Sequence, residues 1–160
     1  MKAEVLHASV KFIEQPFLKP LQISSGLITQ ATEARVSVHV RVAEREATGY
    51  GSIYLSDLWA WPGAHPGRAE KNVAMRALCK QLAGDLAAFC GGEPAHPLEL
   101  GLRLHHALSE LSPDSPLLAR SVCASPFDAA LHDAAGKALG ISAFRFYDGR
   151  EAIPSADRWF

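Results

Sequence analysis

The chain has 160 residues, 48% of them hydrophobic and 21% charged, with a formal net charge of −1. That balance belongs to one globular domain with its own core, and the length falls well short of a (β/α)8 barrel, which takes about 250 residues. Near-neutral charge without a basic run argues against nucleic acid as a partner, and no run of about 20 apolar residues offers a membrane span. Glu4 and His7 interrupt the N-terminal region that a signal peptide would keep apolar. Cys79, Cys90 and Cys123 show no Cys-x-x-Cys spacing. They read as reduced, buried thiols of a cytoplasmic protein.

The first predicted strand alternates, with Leu6, Ala8, Val10 and Phe12 on one face and His7, Ser9 and Lys11 on the other. The second is sharper: Val36, Val38, Val40 and Val42 point one way, Arg35, Ser37, His39 and Arg41 the other. A polar connection over 43–47 leads to a third strand over 48–55, where Gly49 and Gly51 mark a close approach by another backbone. From residue 66 the period becomes helical, with Met75, Leu78, Leu82, Leu86 and Phe89 forming a stripe that ends at Gly91-Gly92. A second helix starts at Pro97, carries Leu100, Leu104, Ala107, Leu108 and Leu111, and stops before Pro113. Ser115-Pro116 opens a third helix, and Ser125-Pro126 predicts a break with a fresh start capped by Ser125 and Asp128. Gly140 followed by Ile141 marks the final helical stop. Strands before helices predict an α+β fold: a three-stranded antiparallel meander, then a bundle of three to four helices over one sheet face.

Two stretches, 14–32 and 55–68, lack periodicity and read as long loops, yet they carry Phe17, Leu21, Ile23, Trp59 and Trp61. Loops of that length and composition are usually functional and packed against something. Trp59, Trp61 and His65 form the best candidate for substrate or partner contact, because indoles give large apolar area and imidazole titrates near neutrality. Asp128 and His132 share a helical face, but Asp133 points about 100° away, so a cap and an ion pair account for these residues as well as a metal seat does. His105 and His106 face different directions, and Cys123 lacks a nucleophile elbow. Gly49-x-Gly51 opens no helix and is not a phosphate cradle.

The order of parts, ending in Ser125-Pro126-Phe127-Asp128-Ala129-Ala130-Leu131-His132-Asp133-Ala134-Ala135-Gly136-Lys137-Ala138-Leu139-Gly140, resembles the N-terminal capping domain of the enolase superfamily, in its mandelate racemase and muconate-lactonizing branch. Pro20-Leu21 with Ser24-Ser25-Gly26 resembles that family's first mobile loop, and Thr48-Gly49-Tyr50-Gly51 its Gly-x-Gly strand, with Ser52 where the family usually has Glu. His132 stands at the family's usual aromatic position. The resemblance runs from about residue 3 to about residue 147. It implies a capping domain over 1–147, with 148–160 as linker and start of a (β/α) barrel. It also implies a C-terminal barrel as partner, Mg2+ bound in that barrel, a small carboxylic acid or acid sugar as substrate, and a homo-oligomeric full enzyme.

On that resemblance the reactive groups lie outside the chain: no Lys-x-Lys pair is present, and no catalytic residue and no metal ligand is expected within it. The chain then supplies the lid of a racemase, epimerase or dehydratase. The residues implied for substrate contact are Lys19, Ser24 and Ser25 from the first loop, and Tyr54, Trp59, Trp61 and His65 from the second. The alternative is a free-standing binding or assembly module without catalytic activity, using the same aromatic loop as a partner surface.

Overall fold

The computed structural model describes residues 2–24 and 26–148. Three strands, β1 (Ala3–Ile23), β2 (Gly26–Val42) and β3 (Arg45–Leu55), form an antiparallel sheet in the order β1-β2-β3. Helices α1 (Asp57–Ala60), α2 (Arg68–Phe89), α3 (Pro97–Ala107) and α4 (Leu117–Leu139) follow, then a short 3-10 helix, Ala143–Tyr147. The α+β meander and helical bundle predicted from the sequence are both present.

β2 is the spine of the sheet. Ala34, Val36, Val38, Val40 and Val42 are buried on its inner face, and β-branched side chains suit that pleated surface. α4 lies across β3 and β2, and α2 packs against β1. The β1 alternation is broken by a bulge: the register passes from Val5 opposite Val40 to His7 opposite His39, which leaves Leu6 unpaired. In consequence Val5, with Val10 and Phe12 beyond the bulge, packs against the core, and Leu6 loses the inward place the alternation predicts. The β2–β3 connection is also tighter than predicted, since β3 begins at Arg45 directly after Ala43-Glu44.

Stretch 14–32 is not a loop. β1 and β2 run on past the end of β3, where Leu55 pairs with Thr32, and continue as a two-stranded ribbon to Ile23 opposite Gly26. The register slips within it, so that Phe17, Leu18, Lys19 and Pro20 stand against Thr29 alone. At the ribbon's base the buried Thr32 hydroxyl donates to Glu14 and accepts from Asn72 Nδ2 (3.2 Å) and Arg76 Nη2 (2.9 Å). Arg76 also pairs with Glu14 and donates from Nε to Asn72 Oδ1 at 2.7 Å. α2 thus clamps the ribbon where the third strand stops.

α4 departs most from expectation. It runs unbroken from Leu117 to Leu139 with Pro126 inside it, so Ser125 and Asp128 cap nothing. An interior proline costs a helix about 3 kcal/mol in isolation, and burial overrides it here. Pro126, Phe127, Ala130, Leu131 and Ala134 are all buried against the sheet and its neighbours. The predicted close approach at β3 is real. A methyl at Gly49 would overlap the Ala130 carbonyl and the Ala134 amide, and one at Gly51 would overlap the Pro126 carbonyl. Asp133 Oδ2 locks this seam by accepting the Tyr50 amide (2.9 Å) and the Lys137 ammonium (2.6 Å). Gly140, at φ 70°, ends α4 as predicted, with the Ile141 amide donating to the Gly136 carbonyl at 3.0 Å.

α3 stops at Ala107, earlier than its apolar spacing suggests. Arg120 Nη1 gathers the carbonyls of Leu108 (2.7 Å), Ser109 (2.9 Å) and Leu111 (3.2 Å) that follow it. The Ala3 amide meets the Ala95 carbonyl at 2.8 Å, which ties the first strand to the segment before α3. Among the described residues no helix is long and apolar enough to cross a membrane.

Candidate functional site

The ribbon and the segment after β3 converge at one end of the sheet. β3 ends at Leu55, and α1 turns the chain so that Tyr54, Leu58 and Trp59 face Phe17, Leu21, Ile23 and Ile28 across a cleft of about 240 Å3. Large apolar side chains stay partly exposed here, with Trp59 at 51% and Leu21 at 50%. Aromatic and aliphatic area left uncovered on two facing segments is the usual make-up of a small-molecule site. Arg68 and Asp57 reach the cleft and pair with each other, Arg68 Nε donating to Asp57 Oδ2 at 3.1 Å. Toward the ribbon's base the surface becomes polar, and a second hollow of about 510 Å3 includes Glu14, Thr32, Asn72 and Arg76. Those groups are occupied with one another in the clamp described above.

The segment after α1 is fastened from below. Lys71, on the first turn of α2, is 3% exposed and donates from Nζ to the Gly63 carbonyl at 2.6 Å. A buried ammonium needs such partners, because an unpaired one would deprotonate or draw in water. Glu70 Oε2 accepts the Gly67 amide at 2.8 Å and fixes the start of the same helix.

No family model matches the sequence, and no curated protein matches it. Solved structures do match. The chain is similar to an enolase from Bradyrhizobium solved with magnesium and mandelic acid, at TM-score 0.53 and 18% identity over 88% of this chain and 33% of that one. It is similar to a dipeptide epimerase from Enterococcus faecalis solved with Mg and a dipeptide, at TM-score 0.56 and 16% identity over 93% of this chain and 35% of that one. A mandelate racemase/muconate lactonizing enzyme-like protein from Rubrobacter xylanophilus gives TM-score 0.51 and 17% identity over 86% of this chain and 31% of that one. What these likenesses show is a shared fold, a three-stranded meander followed by helices. The chain spans about a third of the length of each of these structures.

Within this fold the predicted contact residues separate. Tyr54 and Trp59 stand together on the cleft wall. Lys19 sits on the slipped stretch of the ribbon and Ser24 at its tip, both exposed and neither lining the cleft. Trp61 is not a wall: at 7% exposure it belongs to the core, because the chain turns inward after Ala60. His65 is exposed on the segment held by Lys71 and does not reach the cleft. Ser25 and the linker after residue 148 lie outside the described residues.

Sequence reasoning missed the ribbon side chains Phe17, Leu21, Ile23 and Ile28 as cleft residues, although their apolar character in a polar stretch was the available signal. It also missed Lys71, whose place one turn before the Met75 stripe was the clue, and Gly101. A methyl at Gly101 would overlap Asp128 Oδ1, so α3 and α4 meet there at backbone distance.

Asp128 and His132 serve packing. His132 Nδ1 lies 2.8 Å from the Asp128 carbonyl, which fixes Nδ1 as the protonated nitrogen, and its ring rests beside Phe146. Among the described residues no group of three His, Cys, Asp or Glu side chains is placed to hold a metal. The cysteines are free and buried. Burial, with the charge of Asp128 adding to it, pushes the Cys90 thiol up to about 12. Cys123 is also pushed up, by its hydrogen bond with Cys79 and by burial. Thiols held neutral in this way are poor nucleophiles.

Proposed function

We propose that this chain is the lid of a Mg2+-dependent racemase, epimerase or dehydratase acting on a carboxylic acid or an acid sugar, and that it works over a (β/α) barrel. The observation that carries the reading is the cleft. Two segments far apart in sequence, the ribbon and α1, bring exposed aromatic and aliphatic side chains together at one end of the sheet. The Bradyrhizobium and Enterococcus structures of the same fold are enzymes solved with magnesium and small acids or peptides, which supports a small acid as ligand here.

Among the described residues, the carboxylates of α4 do not suit Mg2+. Asp133 is taken by the Tyr50 amide and Lys137, while Asp128 lies against His132 in the α3–α4 packing. The metal of the proposed reaction therefore belongs to the barrel, where it would stabilise charge beside the substrate carboxylate. The chain's part is to bind and orient the remainder of the substrate and to exclude water when closed. Tyr54 and Trp59 would wall the ligand, and Lys19 on the ribbon would meet its polar end.

Co-expression with a barrel of this superfamily, followed by turnover assays on carboxylic acids, tests the reading. Trp59→Ala and Lys19→Ala are each expected to lower kcat/KM by about tenfold, with Trp59→Ala acting mainly through KM. If both leave kcat/KM unchanged, the chain is not the lid.

A further inference from the structure

Two of the three thiols meet inside the molecule. Cys79 on α2 and Cys123 on α4 are fully buried. Cys79 Sγ donates to the Cys123 carbonyl at 3.9 Å, and Cys123 Sγ donates to the Met75 carbonyl, one turn back along α2, at 3.5 Å. The two thiols also hydrogen-bond to each other. Both carbonyls lie in interior turns of their helices, where the backbone already supplies each with a donor. Joining the sulfurs therefore leaves no buried acceptor stranded. Closing from contact to the S–S bond length of about 2.05 Å takes a side-chain rotation and a small approach of the helices. Cys90 is placed differently, at the end of α2 beside Arg103, which donates to its carbonyl at 3.3 Å.

We infer that Cys79 and Cys123 are a modification site, a dithiol that hydrogen peroxide converts to a disulfide joining α2 to α4. One sulfur, as thiolate, attacks a peroxide oxygen and breaks the O–O bond. It becomes a sulfenic acid, and the departing hydroxide takes up the thiol proton as water. The second sulfur then attacks the sulfenic sulfur, forming the S–S bond and releasing the oxygen as a second water. Two electrons pass from the sulfurs to one peroxide. The first attack is slow, because burial holds the Cys123 thiol neutral and the thiolate is the nucleophile. It proceeds when α2 and α4 part. Once closed, the bond fixes α2 to the helix that lies across β3 and β2. Asn72 and Arg76, which hold the base of the ribbon, are carried on that same α2.

Mass spectrometry of the reduced 160-residue chain tests this after millimolar hydrogen peroxide, removal of the oxidant and unfolding in iodoacetamide. We expect one alkylated cysteine, Cys90, where the untreated chain gives three. The digest should contain a linked Cys79–Cys123 peptide that dithiothreitol separates. The bridge joins positions 44 residues apart, so the Tm of the oxidised chain should rise by at least about 5 °C. Cys79→Ala and Cys123→Ala should each abolish that rise, and the linked peptide is read on the natural sequence whether or not either variant folds. Three alkylated cysteines after peroxide, a bridge through Cys90, or sulfinic acid in place of the bridge overturns the inference. So does a Tm that falls on oxidation, since the bridge would then strain the helix pair instead of joining it.

Discussion

Two meetings of chain segments in this molecule are built in opposite ways. At the β3–α4 seam, backbone lies against backbone: Gly49 and Gly51 have no side chain because Ala130, Ala134 and Pro126 occupy the space. At the ribbon–α1 cleft, large side chains face each other across a gap and remain partly exposed. The seam tolerates almost no change of volume, as close-packed interiors do not. The cleft tolerates many changes, and each alters what fits inside. The fold is held by small residues, and the proposed selectivity lies in large ones.

The comparison is broken most directly at the seam. Gly49→Val should destabilise the chain by about 3 kcal/mol or more, because α4 must lift from the sheet to admit the side chain. Denaturant unfolding checks it, and an unchanged midpoint would mean that β3 and α4 are not in backbone contact. Lys71→Met should cost about 2 kcal/mol through the lost charged hydrogen bond to Gly63. Its signature is local: hydrogen exchange over 61–67 should rise more than exchange in the sheet.

Asp133→Asn should cost about 1 kcal/mol, since the pair is partly exposed. Burial works to raise the Asp133 pKa, but the bonds from Lys137 and the Tyr50 amide outweigh it and hold the carboxyl below its ordinary value. The folded carboxyl titrates below the unfolded one, so its contribution is complete above the ordinary carboxylate pKa and is lost as pH falls through the folded value. The variant should therefore lack that part of the acid decline in a melting-temperature profile. At the other extreme, Trp59→Ala should change stability by no more than about 0.5 kcal/mol. A large loss of Tm in that variant would make the tryptophan a structural residue and erase the contrast between cleft and seam.

Legibility in the sequence followed burial. The Val36–Val42 ladder, the stripe of α2 and the paired glycines of β3 were readable because one face of each element is covered, so that periodicity and packing say the same thing. The ribbon was not readable. Past Leu55 no third strand among the described residues accompanies it, and Leu18 and Leu27 stay exposed, so its alternation separates no inside from outside. Pro126 misled for the reverse reason: local preference predicts a break, and the buried helix across the sheet wins. Of the proposed contacts, Tyr54 and Trp59 were legible as exposed aromatics beside a strand end. Trp61, with the same chemistry two residues on, is buried by a turn that nothing in its neighbours announces.

The slipped stretch of the ribbon has its own consequence. Phe17 to Pro20 face a single residue, while Pro16 opposite Gln30 and Leu21 opposite Ile28 close the pairing on either side. Residues added or removed between those closures would be absorbed as slack and would leave the register of the main sheet untouched. The molecule thus holds an adjustable seam allowance beside the cleft, where selection can retailor depth and reach without recutting the cloth.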